Sequence, residues 1–117
     1  MAKVEIILSL FEEIQKKLKG EAHEIIDLIE SLEDNSHKGK FLGNVGGIII
    51  KEIRYKNFRF YFITDSHKLK IMDETKLVDL LIRFVRMSDK NNQQQTINEI
   101  KNVLSYFGPE GFNHWFN

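Results

Sequence analysis

Gly47-Ile48-Ile49-Ile50-Lys51-Glu52-Ile53-Arg54-Tyr55, followed by Phe58-Arg59-Phe60-Tyr61-Phe62-Ile63, is the stretch that decides the fold. The first run is rich in β-branched isoleucine. The second sets Phe against Arg and Tyr in strict alternation, so both read as strands. Only the residues around Asn57 separate them, which suits a tight turn and makes the pair an antiparallel hairpin.

Working outward, Thr64-Asp65-Ser66-His67 reads as a second turn, Lys68 to Met72 as a strand continuation and Asp73 to Lys76 as a polar break. Val78 to Arg86 is a third apolar run. A last helix from about Asn91 to Phe107 follows from the spacing of Ile97, Ile100, Val103, Leu104 and Phe107, with Gly108-Pro109 as its stop. On the other side, four glycines mark His37 to Gly47 as a loop. Before it, Leu10, Phe11, Ile14 and Leu18 recur at helical spacing. Gly20 interrupts, and Ile25, Ile26, Ile29 and Leu32 repeat the pattern in a second helix ending near Asp34-Asn35. Ser9 and Glu12 have the capping-box spacing that starts the first helix, and Lys3 to Leu8 reads as a short strand. The expected fold class is α+β: an N-terminal strand and helical hairpin packed on a small, mostly antiparallel sheet, with a C-terminal helix. The aromatic tail Phe112-Asn113-His114-Trp115-Phe116 either closes over the core or receives a partner protein.

The chain has 117 residues, the length of one domain, so residues 1–117 are taken as a single unit. With 42% hydrophobic and 29% charged residues and a single Pro, it has the composition of a globular protein. It contains no cysteine, which excludes disulfides and thiolate metal sites and makes a reducing cytoplasm the expected location. The apolar stretches Ile6-Ile7-Leu8 and Ile48-Ile49-Ile50 are far too short to span a membrane, so no membrane partner is expected. His23, His37, His67 and His114 are dispersed, so neither a metal nor a cofactor is expected. Net charge is zero, yet residues 1–36 hold 4 Lys and 9 acids, while residues 37–90 hold 12 Lys or Arg and 6 acids. The basic middle third is the kind of local field that attracts phosphate.

Strand parity decides which polar groups converge. If Phe58, Phe60 and Phe62 face the core, as do Leu80, Ile82 and Phe84, then Arg59, Tyr61 and Arg83 point the other way. With Ile49 and Ile53 also facing the core, Glu52 and Arg54 join them on one open face. Lys51 falls on the buried side by the same parity unless a bulge or the strand end releases its amine. One reading of the open face is a solvated surface in which Glu52 pairs with an arginine across the sheet. The other is phosphodiester chemistry: guanidiniums hold phosphate bidentately, a carboxylate takes the 2′-hydroxyl proton, and an acid or cation serves the leaving oxygen.

Phe41-Leu42-Gly43, Gly47, Lys51-Glu52-Ile53-Arg54, Phe58-Arg59-Phe60-Tyr61 and Arg83-Phe84-Val85-Arg86-Met87-Ser88-Asp89-Lys90, followed by the helix through Ile97-Asn98-Glu99-Ile100, stand in the order of a known family. Over roughly residues 3–107 the chain resembles the RelE/HigB-type toxins of bacterial and archaeal toxin–antitoxin pairs, including their phage-derived relatives. The resemblance implies a RelE-like domain and an mRNA endonuclease that works at the ribosome, inhibits translation and is silenced by a cognate antitoxin. It further implies that Arg59 and Arg86 are catalytic cations and Glu52 the base, with Arg54, Tyr61, Arg83 and Lys90 binding substrate. Asn91 and Asn92 stand near the place of the family's later Tyr or His, leaving Tyr61 and His114 as spatial candidates for proton transfer. The alternative is a non-catalytic binder of the RelE/ParE fold, either a topoisomerase poison or a decayed relative that keeps its antitoxin.

Overall fold

The computed structural model describes residues 3–35, 37–65, 81–112 and 115–116. The strand expected over Lys68 to Met72, the polar break after it, Leu80 and His114 lie outside them. The chain runs β1 (Lys3–Ile7), α1 (Leu8–Lys17), α2 (Ala22–Glu30), β2 (Lys40–Val45), β3 (Ile48–Tyr55), β4 (Phe58–Asp65), β5 (Leu81–Asp89), α3 (Gln93–Phe107) and the two-residue β6 (Trp115–Phe116), with 3₁₀ turns at Ser31–Glu33 and Gly108–Gly111. The strands form one sheet in the order β2-β3-β4-β5-β1-β6. All neighbours are antiparallel except β1 and β5, which pair in parallel. This is the expected α+β arrangement.

Two expectations about the elements need correction. The first helix begins at Leu8 on an Ile7 N-cap with no side-chain cap, so Ser9 and Glu12 do not form the capping box. The stretch His37 to Gly47 is not simply a loop, because Lys40–Val45 is the edge strand β2. Gly46 and Gly47, with φ of 59° and 89°, form the two-residue turn that joins it to β3, and Asn44 accepts a hydrogen bond from the Gly47 amide at 3.0 Å. Positive φ at both turn residues matches the right-handed twist of the flanking strands. Strand formation here is helped by pairing with β3, since Phe41 and Val45 favour a strand while Lys40, Gly43 and Asn44 do not.

Paired residues share a face, so the register divides the sheet. One face carries Ile53, Tyr55, Phe60, Phe62, Ile82 and Phe84, and is covered by the α1–α2 hairpin, as the Tyr55 hydroxyl donating to Glu24 shows. Leu10, Ile14, Ile25, Ile29 and Leu32 are buried with it, and the Phe62 and Phe84 rings lie 4.8 Å apart. Lys51 is on this face at its margin, where its amine donates to the His37 carbonyl at 3.2 Å and burial pushes its pKa below the ordinary lysine value. The opposite face carries Ile50, Glu52, Arg54, Arg59, Tyr61 and Ile63. Contrary to the expectation of an open surface, α3 crosses it, burying Ile97, Ile100 and Leu104 together with Ile50, Tyr61 and Ile63. No helix among the described residues is long and apolar enough to cross a membrane.

Candidate polar site under the C-terminal helix

The register places Lys40, Glu52, Tyr61 and Arg86 in one row across β2 to β5, and Arg54, Arg59 and Ser88 in the adjacent row. Arg86 reaches this face through a bulge. Tyr61 pairs with Arg86 while the next residue, Phe62, pairs with Phe84, so Val85 is the extra residue on β5. Arg83 pairs with Ile63 and therefore shares the face as well. Simple alternation would have put Arg83 and Arg86 on opposite sides.

Burial and pairing distinguish these groups. Glu52 is 1% exposed; among the described residues neither of its carboxylate oxygens has a hydrogen-bond partner, and Arg54 Nε stands 3.7 Å away. Arg59 is 7% exposed, and its Nη1 donates weakly to the Asn57 carbonyl at 3.5 Å. The Tyr61 hydroxyl shares a hydrogen bond of 2.7 Å with Ser88 Oγ. Burial first, with the Glu52 charge adding to it, holds the phenol above its ordinary pKa against the hydrogen bond and the Arg59 and Arg54 charges. Tyr61 is thus a protonated donor at neutral pH.

Arg86 is already engaged. Its Nε donates to Glu99 of α3 at 2.6 Å, its Nη1 donates to the Val85 carbonyl at 2.7 Å, and the guanidinium lies 5.0 Å from the Phe112 ring centre. Arg83 lies 3.5 Å from Glu5 of β1. Arg54 projects into solvent, and Lys90 is exposed in the turn between β5 and α3. The structure brings Glu52, Arg54, Arg59, Tyr61 and Arg86 together; Arg83 stands further along the same face and Lys90 stands apart. Ser88 and Glu99 were missed by sequence reasoning, since their roles depend on partners 27 and 13 residues away along the chain. Among the described residues no cluster of three or more His, Asp or Glu could hold a metal ion.

Compared with known protein families, curated proteins and solved structures, the chain matches none.

Proposed function

We propose that the chain is the toxin of a toxin–antitoxin pair, a RelE/HigB-like, metal-independent mRNA endonuclease that acts on translated messages in the cytoplasm. The observation that supports this reading is the gathering of Arg54, Arg59 and Arg86 on one face of three adjacent strands, with Glu52 and Tyr61 between them. In such a site Glu52 takes the 2′-hydroxyl proton as the 2′-oxygen bonds to phosphorus. Arg59 and Arg86 hold the charge on the phosphoryl oxygens, and the bond to the 5′-oxygen breaks as Tyr61 supplies its proton. Access requires α3 to move off Glu52 and Tyr61 and to withdraw Glu99 from Arg86 when RNA arrives.

Production of the protein without its antitoxin should arrest growth and leave cuts in translated messages, and Arg59→Ala should relieve both. Toxicity unchanged in that variant overturns the reading. The burial of Glu52 and Tyr61 beneath α3 favours a second one, a non-catalytic RelE/ParE-fold binder. Growth arrest with intact messenger RNA selects it.

A further inference from the structure

Tyr61 is wholly buried, and among the described residues its phenol has one hydrogen-bond partner, Ser88 Oγ at 2.7 Å. The two hydroxyls stand on neighbouring strands, β4 and β5, on the face under α3. Either can donate while the other accepts, so the bond reverses direction without movement of a heavy atom. Both residues belong to the sheet, so the bond does not depend on where α3 lies.

Ser88 also meets solvent. β1 pairs with β5 only as far as Phe84, so the second half of β5 has β4 on one side and, among the described residues, no strand on the other. A cavity of about 510 Å³ occupies this gap between α1 and α3. Ser88 and Asp89 stand in its wall with Asn92, Gln95 and Glu99, and the last three are exposed, so bulk water enters. Tyr61 is not in that wall. Among the described residues, Ser88 alone touches both the buried phenol and the open cavity.

The RNA reading above, on which this inference rests, sets a requirement that such a contact meets. When Tyr61 gives its proton to the departing 5′-oxygen, it is left as a phenolate buried away from solvent, and a second turnover needs the proton back. Burial disfavours that phenolate, so its reprotonation is downhill once a donor is in reach. We infer that Ser88 is the proton relay of the site, passing its hydroxyl proton to the Tyr61 oxygen while a water in the cavity between α1 and α3 replaces it. The hydroxide left in the cavity is neutralised by the 2′-proton that Glu52 releases to solvent, so a full cycle consumes no proton. Ser88 acts through Tyr61 and touches no reacting atom of the RNA.

The test compares Ser88→Val with Ser88→Thr, which have the same shape and differ in a methyl against a hydroxyl, so the first cuts the relay and the second keeps it. Circular dichroism checks the fold of both, and Ser88→Ala, which removes the hydroxyl without adding bulk, should behave as Ser88→Val. Exchange of the Tyr61 hydroxyl with solvent is read by NMR in mixed H2O and D2O, from the isotope shift on the ring carbon that bears the oxygen. In Ser88→Val this exchange should be at least about tenfold slower than in Ser88→Thr, because it must wait for the structure around Tyr61 to open. In cleavage of ribosome-bound mRNA, Ser88→Val should cut a first equivalent at the rate of Ser88→Thr and then turn over about 100-fold more slowly. Equal exchange in the two variants overturns the relay. A first equivalent slowed as much as the later ones also overturns it, since a merely structural bond gives that result. Exchange is read without cleavage, so a hydroxyl that exchanges through Ser88 in a protein that leaves RNA intact sinks the endonuclease alone. RNA cleavage with equal exchange in both variants sinks the relay alone.

Discussion

Arg83 and Arg86 stand on the same face of β5 although an odd number of positions separates them, because the bulge at Val85 resets the alternation between Phe84 and Arg86. That local irregularity is what joins the last strand to the cluster built by Arg54, Arg59 and Tyr61. It also turns Arg86 toward α3, where Glu99 takes its guanidinium.

Glu99 occupies the cation that RNA phosphate would use. Glu99→Gln keeps the shape and removes the charge, so RNA should bind the variant more tightly than the parent. The dependence of log affinity on log salt should steepen by about 0.7, the increment for one more phosphate neutralised on a single strand. An unchanged slope would show that Arg86 does not meet phosphate.

Tyr61 links stability to alkaline pH. Its folded pKa is raised, chiefly by burial, above the unfolded value of 10.0. The resulting contribution to stability is complete below that unfolded value and is lost as pH rises through the folded one. Denaturant midpoints should therefore fall more steeply above pH 10 in the parent than in Tyr61→Phe, where the phenol is gone. Parallel pH profiles would contradict this.

Phe62 and Phe84 are both fully buried, and their rings meet at the centre of the face under the helical hairpin. Phe62→Ala should lower the unfolding free energy by about 3–5 kcal/mol, measured by urea denaturation, through lost transfer energy and the cavity left behind. A loss below about 1 kcal/mol would mean that the hairpin is not seated there.

Gly39 has φ of 112°, and a Cβ at this position would lie 2.9 Å from the Phe62 ring and 3.2 Å from the Glu52 carbonyl. Gly39→Ala should cost about 1–3 kcal/mol, since both the backbone conformation and the packed ring resist the added methyl. The same substitution at Gly20, where nothing lies within 4 Å, serves as a control and should change stability far less.

Much of the fold could be read from the chain because the signals are local. Leu10, Ile14, Ile25, Ile29 and Leu32 repeat at helical spacing and are all buried. The β3–β4 hairpin follows from isoleucine and phenylalanine runs interrupted by two residues, and α3 ends where Gly108 adopts positive φ, next to Pro109. β2 was not legible in the same way, because Gly43 and Asn44 argue for a loop until β3 lies beside them.

By itself the sequence determined the order and type of the long elements, the apolar stripes of its helices and the shared face of Arg59 and Tyr61. Each of these depends on residues within a turn or two of one another. Tertiary structure alone decided that Arg86 joins that face, that Glu99 and Phe112 engage it, and that Glu52 and Tyr61 lie buried beneath α3. A bulge shifts parity without leaving a mark in the hydrophobic pattern, and a helix packs over charged strand positions when burial of the apolar residues between them outweighs the cost of desolvating the charges.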